Sequence, residues 1–177
     1  MIETTRTLLR PIAPEDAELV FSYRSDSEAN KYQSWIPNSL DQVIKFISKN
    51  PDKINQPESW FQLVIIEKIT AKIIGDIGIH FIGHDNFQSE IGITLSKKSQ
   101  NKGFAIETMT AIIDYLFNEL KKHRIVTSID PKNINSIKLV ERLGFRKEGH
   151  FKESLMIDGQ WVDDIIYAML RRDWIKS

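Results

Sequence analysis

The sequence predicts a single α+β domain, residues 1–177, built around a largely antiparallel sheet. Three observations support this prediction. Runs of branched and aromatic residues follow one another in the middle of the chain with only short turns between them. Apolar residues recur at helical spacing after Gly103. Near the end of the chain, Asp158-Gly159 separates two further strand-like runs and is a strong hairpin signal.

The first third of the chain combines one strand with two helices. The strand is predicted over residues 7–12. The Pro-Glu-Asp sequence at residues 14–16 indicates a helix start, because acids in the first turn interact favourably with the helix dipole. A second helix is predicted to begin at Ser39 or Asp41, after a loop that contains Trp35.

Three more strands are predicted in the middle of the chain. They cover residues 60–67, 72–81 and 88–95, with turns at residues 69–71 and 83–86. Because the connecting turns are short, we expect these strands to pair with one another in antiparallel fashion.

A long amphipathic helix is predicted from Gly103 to Leu120. The four cationic residues 121–124 are expected in its last turn, where they suit the helix dipole. The remaining predicted elements are a strand over residues 125–129, a short helix stopped by Gly144, and final strands over residues 145–157 and 161–170.

The composition excludes several classes of function. Lysine plus arginine equals aspartate plus glutamate at 24 each, so no overall charge favours nucleic acid or an anionic membrane. The chain has no cysteine, which excludes a thiol nucleophile, a disulfide framework and a thiolate metal site. No apolar run resembles a signal peptide or a membrane span, so we expect a cytoplasmic protein. A near-zero net charge is compatible with a monomer or a homodimer.

The turn before the long helix is a candidate anion-binding site. It reads Gln-x-x-Gly-x-Ala from Gln100 to Ala105, with three lysines close by. Backbone N–H groups at a helix N-terminus lack intrahelical partners and carry about half a positive charge. Gly103 would let a ligand approach the main chain. The ATP-type loop and the dinucleotide fingerprint are both absent. We therefore predict that the turn binds the pyrophosphate of a nucleotide-like cofactor.

A metal site is not expected. His80 and His84 are four residues apart, but they fall at a strand end and a turn rather than on one helix face, and no third ligand is evident. His123 is most simply a cation at the end of a helix, and His150 a strand residue.

Several short motifs occur in a fixed order along the chain and resemble those of the GNAT superfamily of acetyl-CoA-dependent N-acetyltransferases, in its RimJ/RimL-like branch. The three central motifs are Glu90-Ile91-Gly92, Gln100-x-x-Gly103-x-Ala105, and Asn133-x-x-Ser136 followed by Leu143-Gly144-Phe145. The opening Thr4–Pro11 segment and the closing Asp163-x-x-x-Tyr167 are also similar to that branch. Together the motifs extend over essentially the whole chain.

The resemblance implies a more specific fold than the residues alone. We expect a three-layer α/β/α arrangement whose central sheet is mixed, mostly antiparallel, and has about seven strands. The fourth and fifth strands, residues 88–95 and 125–129, are expected to splay apart and hold the pantetheine arm of acetyl-CoA between them.

The resemblance also implies which residues bind acetyl-CoA. Strand residues would pair with the pantetheine arm, the turn would bind the pyrophosphate, and the following helix start would contact the arm near the sulfur. These residues are Ile93, Thr94, Leu95, Gln100, Asn101, Lys102, Gly103, Phe104, Ala105, Asn133 and Ser136. Asn133 also fits a helix N-cap, and the two roles are compatible.

Acetyl transfer to an amine requires a neutral nucleophile. At pH 7, deprotonation costs about 4–5 kcal/mol for a lysine-type amine but only about 1 kcal/mol for an α-amine. Glu90 matches the general base of some GNAT enzymes, and burial at a strand end would raise its pKa toward a useful range. The alternative is that Glu90 is simply the partner of a nearby lysine.

The leaving thiolate needs a hydrogen-bond or proton donor. Many GNAT enzymes use a tyrosine four residues after the position of Ser136, but here Val140 occupies that place. The resemblance implies that Ser136 serves instead, orienting the sulfur or relaying a proton to it. Leu155 stands where some ribosomal-protein acetyltransferases have a glutamate, which weakens the transfer of their acceptor and mechanism.

The acceptor stays open between two classes: a protein N-terminal α-amine and a small amine. Trp35, Glu90 and Asp163 are the predicted acceptor-binding residues. An open cleft would favour a peptide end, and a closed acidic pocket a small amine. The competing function is a non-catalytic acyl-CoA sensor, which would bind acetyl-CoA without releasing free thiol.

Overall fold

The structure, a computed structural model, describes residues 1–157 and 159–174, which form a mixed sheet flanked by helices. The strands are β1 (Ile2–Glu3), β2 (Thr7–Pro11), β3 (Ser59–Glu67), β4 (Lys72–Ile82), β5 (Gln88–Leu95), β6 (Arg124–Ile129), β7 (Arg146–Ile157) and β8 (Gln160–Leu170). The helices are α1 (Ala17–Arg24), α2 (Leu40–Ile47), α3 (Phe104–Asp114), α4 (Ile134–Arg142) and α5 (Arg171–Trp174).

The strands lie in the order β1-β2-β3-β4-β5-β6-β8-β7, and each neighbouring pair is antiparallel except β5 and β6. The α+β fold and the mostly antiparallel sheet are therefore confirmed. The sheet has eight strands rather than about seven, because the two-residue β1 pairs with β2. So short a strand carries too few residues for an alternation signal.

β5 and β6 separate soon after they begin. Their pairing covers Gln88 with Arg124, Ser89 with Ile125 and Glu90 with Val126. On its other edge β5 stays paired with β4 as far as Leu95. The predicted splay is thus confirmed, and it begins directly after Glu90.

The helices form two layers on opposite faces of the sheet. Phe61, Leu63 and Ile65 of β3 belong to a core that also contains buried residues of α3 and α4. Val64, which alternates with them along the strand, belongs to a second core with α1 and α2. This period-two alternation is what a sheet buried on both sides requires, and it gives the expected three layers.

The first helix begins later than predicted. Residues 14–16 form a single 3-10 turn, and α1 starts at Ala17. The reason is the Asp16 carboxylate, which accepts hydrogen bonds from Ala13 N (2.8 Å) and from Arg10 Nη1 and Nη2 (2.7 Å each). Ser39 is the N-cap of α2, and its hydroxyl accepts from Gln42 N (3.4 Å).

The cations after α3 do not share one helical turn, so that prediction is wrong. A π-helical turn, Tyr115–Glu119, extends α3, and Lys121 then adopts a positive φ of 57°. The Lys122 side chain is buried and donates to the Asn86 main-chain and side-chain oxygens. Arg124 already lies in β6, where it pairs with Glu148 (2.6 Å).

The final hairpin is confirmed for the residues that flank its turn. Ile157 pairs with Gln160, and Gly159 has a φ of +78°. Asp158, the other half of the predicted turn signal, lies outside the described residues. No helix in the described part of the chain is long and apolar enough to cross a membrane.

Candidate active site

The gap between β5 and β6 connects two adjoining cavities. Their volumes are about 630 Å³ and 910 Å³. Residues of β5, α4 and the loop after α1 line both of them, and these include Tyr32, Ile93, Thr94, Asn133, Ser136 and Leu139. The splay therefore creates one continuous cleft, with β5 along its length.

Main-chain groups of β5 face this gap. Ser96 N donates to Ile74 O (2.9 Å) across β4 and β5. Bonding direction alternates along an antiparallel strand, so Thr94 also directs its main-chain groups toward β4. Ile93 and Leu95 then direct theirs toward the gap, where an extended ligand could pair with them, although Leu95 O already accepts a hydrogen bond from Gln100 Nε2 (3.0 Å). Of the predicted pantetheine contacts on β5, Thr94 can contribute its side chain rather than its main chain.

The first cavity ends at the turn before α3. Lys97, Gln100, Asn101, Gly103 and Ala105 line it. Asn101 and Gly103 have positive φ angles of 59° and 81°, which turn the chain abruptly into the helix. Altogether four cations and one acid line this cavity: Lys31, Lys97, Lys138 and Arg142, with Glu28. Positive side chains and a helix N-terminus fit a pyrophosphate.

A network from the start of the chain holds this turn in place. Glu107 accepts hydrogen bonds from Thr4 Oγ1 (2.6 Å), Arg6 N (2.7 Å) and Arg6 Nε (2.6 Å). Arg6 Nη1 also donates to Lys102 O (2.9 Å), and its guanidinium lies 4.6 Å from the centroid of the Phe104 ring. Lys102 and Phe104 do not line either cavity, and Phe104 is buried in the core. Their predicted contacts with cofactor are therefore limited to main-chain groups.

The start of α4 closes the cleft opposite β5. Asn133 is the N-cap, and its side-chain oxygen accepts from Ser136 N (3.2 Å). Both residues line both cavities, at the junction where a thioester would sit. Val140 is buried with 3% of its surface exposed, so it contributes packing and no proton donor.

Glu90 lies where the two strands begin to separate, on the wall of the second cavity. Its carboxylate is 3.8 Å from His80 Nδ1, and the His80 ring stacks on Trp60 with centroids 4.7 Å apart. Burial raises the pKa of Glu90, the nearby His80 opposes this, and the charge of Asp164 adds to the increase. A carboxylate with a raised pKa is suited to general-base catalysis near neutral pH.

The two acids at residues 163 and 164 have different surroundings. Asp164 is buried and accepts from Ser128 Oγ (2.8 Å) and Ile129 N (3.1 Å). Asp163 is bound to the neighbouring strand: Lys152 Nζ is 2.7 Å and His150 Nε2 2.8 Å from its carboxylate. Hydrogen bonds from Lys152, Glu153 N and His150 lower the pKa of Asp163. Asp163 lines the second cavity, but its charge is already largely neutralised, and its predicted role in acceptor binding stays a prediction.

Trp35 lines the second cavity from the loop between α1 and α2. It stacks on Phe46 with centroids 4.5 Å apart, and the Arg24 guanidinium lies 5.4 Å from its ring centroid. Arg24 is itself fixed by two hydrogen bonds to the fully buried Asp76. The predicted acceptor-lining position of Trp35 therefore rests on a buried ion pair that the sequence did not indicate.

Two polar side chains in or beside the second cavity were not assigned a role in acetyl transfer from the sequence. His80, which contacts Glu90 but does not itself line the cavity, was weighed only as a metal ligand, and Gln62, which lines the cavity, was not considered. The strand register groups His80 and Trp60 with Glu90, because His80 pairs with Glu90 and Trp60 with His80. In the described residues no three His, Cys, Asp or Glu side chains gather in a way that could hold a metal ion.

The geometry can therefore hold an acyl-CoA and an amine together. The turn before α3 offers helix N–H groups and lysines to a pyrophosphate, and the edge of β5 beyond Glu90, where β6 no longer pairs with it, offers hydrogen bonds to an extended arm. Glu90 stands at the far end of that edge, beside the second cavity. These features fit acetyl-CoA in the first cavity and the gap, with an amine entering from the second cavity.

Comparisons with known proteins agree with this geometry. The sequence model of the acetyltransferase (GNAT) domain matches residues 6–146. An uncharacterised N-acetyltransferase, p20, of Bacillus licheniformis is 33% identical over 173 residues, 97% of this chain and 96% of the relative. The [ribosomal protein uS5]-alanine N-acetyltransferase of Escherichia coli is 33% identical over 124 residues, 70% of this chain and 64% of that enzyme.

Solved structures are similar over nearly the whole chain. An acetyltransferase of the GNAT family from Bacillus anthracis has a TM-score of 0.86 and 30% identity, covering 97% of this chain and 98% of that chain. Spermidine N-acetyltransferase from Vibrio cholerae, in complex with CoA and spermine, has a TM-score of 0.83 over 97% of this chain and 99% of its own. At 22% identity the second similarity shows a shared fold only.

Proposed function

The chain belongs to the GNAT acetyltransferase family and is an acetyl-CoA-dependent acyltransferase, and we propose that its acceptor is the α-amine of a peptide or protein N-terminus. The observation that carries this proposal is the charge distribution of the second cavity. Four acids and four cations line it, so its lining has no net charge. A site for a polyamine, which is cationic along its whole length, would need an excess of acids.

The two kinds of charge occupy different walls of the second cavity. The acids lie on β5, at the end of β6 and on β8, beside the gap; they are Glu90, Asp130, Asp163 and Asp164. The cations come from α1, α2 and the neighbouring loops; they are Arg24, Lys31, Lys45 and Lys49. An acceptor with an amine at one end and carbonyl or carboxylate oxygens beyond it matches this arrangement. A peptide N-terminus has that chemistry, and the cavity opens to solvent, where the rest of a peptide could extend.

In the proposed reaction Glu90 removes a proton from the α-ammonium group, directly or through water. The neutral amine then attacks the thioester carbonyl, the C–N bond forms, and the C–S bond breaks to release CoA thiolate. The nitrogen loses its surplus proton as the amide forms, and the thiolate takes up a proton from solvent to leave as CoA thiol. A main-chain N–H of Ile93 or Leu95, directed into the gap, stabilises the negative charge that develops on the carbonyl oxygen. Ser136 donates a hydrogen bond to the departing sulfur. It is given this role because Val140 occupies the position at which many GNAT enzymes have a tyrosine donor.

An acceptor screen tests this function. Purified protein and acetyl-CoA are incubated with short peptides with free N-termini, with spermidine and with free amino acids, and free thiol is measured. We expect release with the peptides at the highest kcat/KM. If acetyl-CoA binds but no amine causes release, the protein acts as a sensor instead. If spermidine is the preferred acceptor, the interpretation of the cavity charge is wrong.

A further inference from the structure

Gln62 lies in the wall of the second cavity with a buried side-chain oxygen that has no partner. Only 7% of the residue is exposed, and among residues 1–157 and 159–174 no group donates a hydrogen bond to Gln62 Oε1. Buried carbonyl oxygens are normally hydrogen-bonded, because leaving one unpaired is unfavourable. Less than 1 Å² of this oxygen is accessible as the side chain stands, and half a turn of the amide, which exchanges its oxygen and nitrogen, would bring the oxygen to the cavity to accept from a donor on a ligand.

Two glycines leave the surface of the sheet between this amide and β5 free of side chains. Gln62 pairs with Gly78, and Gly78 pairs with Gly92. A Cβ atom at Gly78 would lie 2.7 Å from Gln62 Nε2 and 3.0 Å from Oε1, so the amide rests directly on the Gly78 main chain. At Gly92 a Cβ would meet nothing within 4 Å, so the path toward β5 is open to the cavity.

The main chain of Gln62 is held firmly. Gln62 N donates to Asn50 Oδ1 (2.7 Å), and Asn50 Nδ2 and Ile12 N donate to Gln62 O at 3.4 Å and 3.0 Å. Three hydrogen bonds fix the residue from the loop after α2 and from the end of β2. The unpaired amide oxygen is therefore presented from a rigid support, as specific recognition requires.

Gln62 and the proposed base lie on the same face of the sheet. Trp60, His80 and Glu90 form one cross-strand row, and Gln62, Gly78 and Gly92 form the next row on that face. The rows lie two residues, roughly 7 Å, apart along the strands, and the Gln62 amide rests over Gly78, one strand spacing of roughly 5 Å from β5. An extended peptide rises about 3.3 Å per residue, so a main-chain N–H two or three residues beyond the reacting amine comes within reach of Gln62.

We propose that Gln62 Oε1 accepts a hydrogen bond from a main-chain N–H of the acceptor peptide, at its third or fourth residue. Gln62 is then an acceptor-specificity residue that distinguishes a peptide N-terminus from an amine with no amide group. This inference rests on the proposed function, since it concerns how that same acceptor is bound. It assigns no role to Gln62 in the chemical step.

The test combines a protein variant with a modified peptide. Gln62→Leu removes the acceptor and keeps a similar volume, and we expect the KM for peptide to rise about fivefold with kcat and acetyl-CoA affinity unchanged. Gln62→Glu keeps an acceptor oxygen and should restore a low KM. Gln56→Leu, a change at an exposed glutamine in the loop before β3, is the matched control and should have no effect.

Peptides methylated on the third or fourth main-chain nitrogen complete the test. If the hydrogen bond exists, one of these peptides raises the wild-type KM about fivefold but has no further effect on Gln62→Leu. Additive effects, or an unchanged KM for Gln62→Leu, would overturn the assignment. Both results require that peptides are acetylated, so a protein that acetylates no peptide refutes the proposed function instead. Thermal unfolding should show Gln62→Leu at least as stable as wild type, because no donor in the protein loses its partner.

Discussion

The two halves of the cleft are built in different ways. In the cofactor half, a nearly continuous segment from Ile93 to Ala105 supplies main-chain groups, and the Arg6–Glu107 network holds its turn. In the acceptor half, side chains such as Trp35, Gln62 and Glu90 come from separate elements and meet only because of strand register and loop packing. A site made from the main chain requires glycine and a helix start, so it leaves a local sequence pattern. A site made from distant side chains leaves none.

The halves also differ in charge, and this difference matches their ligands. Cations dominate the first cavity, which suits phosphate groups, whereas the lining of the second cavity is balanced. Changes in the first half should therefore alter cofactor affinity, and changes in the second half should alter acceptor kinetics while leaving cofactor affinity intact.

The largest effect is expected at Gly103. Gly103→Asp places a carboxylate against the pyrophosphate site, and acetyl-CoA affinity measured by calorimetry should fall at least about 100-fold. Gly103→Asn is the matched control, because asparagine has the same shape without charge and tolerates the positive φ of 81° better than most residues. A Cβ here lies 3.1 Å from Arg6 Nη2, the end of a flexible side chain that must shift slightly, and both variants carry this same strain, so their difference reports the charge. Equal affinity for Gly103→Asp and wild type would remove the turn from cofactor binding.

The next effect concerns Glu90 and turnover. For Glu90→Gln we expect kcat to fall about 30-fold near neutral pH, with acetyl-CoA affinity unchanged. Because the pKa of Glu90 is raised by burial, the wild-type rate should rise with pH through that raised pKa. The variant should lack this step and recover only as the amine itself deprotonates. Superimposable pH–rate profiles for the two proteins would show that Glu90 is not the base.

A change at Glu107 tests whether the Arg6–Glu107 network, which holds the turn before α3, supports cofactor binding. Burial raises the pKa of Glu107, but hydrogen bonds from Thr4 and Arg6 outweigh it and lower the pKa below its ordinary value. Its stabilising effect is therefore present above the unfolded-state pKa and is lost as pH falls through the folded-state value. Glu107→Gln should lower Tm by about 3–6 °C at pH 7 and weaken acetyl-CoA binding about fivefold.

The Tm difference for Glu107→Gln should shrink at acidic pH, where wild-type Glu107 is protonated as well. Glu119→Gln, at the exposed end of the π-helical turn, is the control and should leave Tm and cofactor binding unchanged. A Tm difference that persists undiminished in acid would argue against the charged network.

The smallest effect is expected at Asp163. Its carboxylate already accepts from Lys152, Glu153 N and His150, so little of its charge is free to attract an acceptor. Asp163→Asn should change the acceptor KM less than about threefold, which is less than Gln62→Leu. A larger increase would restore Asp163 to the acceptor site in the role predicted from sequence.

Much of the fold could be predicted because its elements have regular patterns. The limits of β5, residues 88–95, were predicted correctly, and the splay after Glu90 followed from the family resemblance. The errors occurred where distant contacts override local signals. Asp16 folds back onto Ala13 and Arg10, which delays α1, and Lys122 is buried by its bonds to Asn86, 36 residues away.

The candidate site was likewise predictable only where its residues are neighbours in the sequence. The turn at residues 100–105 could be proposed from the sequence because glycine, lysines and a helix start are adjacent. Gln62 could not be proposed from the sequence, because its access to the second cavity depends on Gly78 and Gly92 being its cross-strand neighbours. His80 is paired with Glu90 by the same register, ten residues away along the chain. Such pairings become visible only once the sheet is known.

One competition experiment tests the central claim, that acetyl moves from acetyl-CoA to a peptide α-amine. A single peptide with a free N-terminus and an internal lysine is incubated with the protein and acetyl-CoA, and fragmentation mass spectrometry locates the acetyl group. We predict acetylation of the α-amine and none of the lysine, because the α-amine is far easier to deprotonate at neutral pH. Acetylation of the lysine alone, or an unmodified peptide beside rapid acetylation of spermidine, would contradict the account.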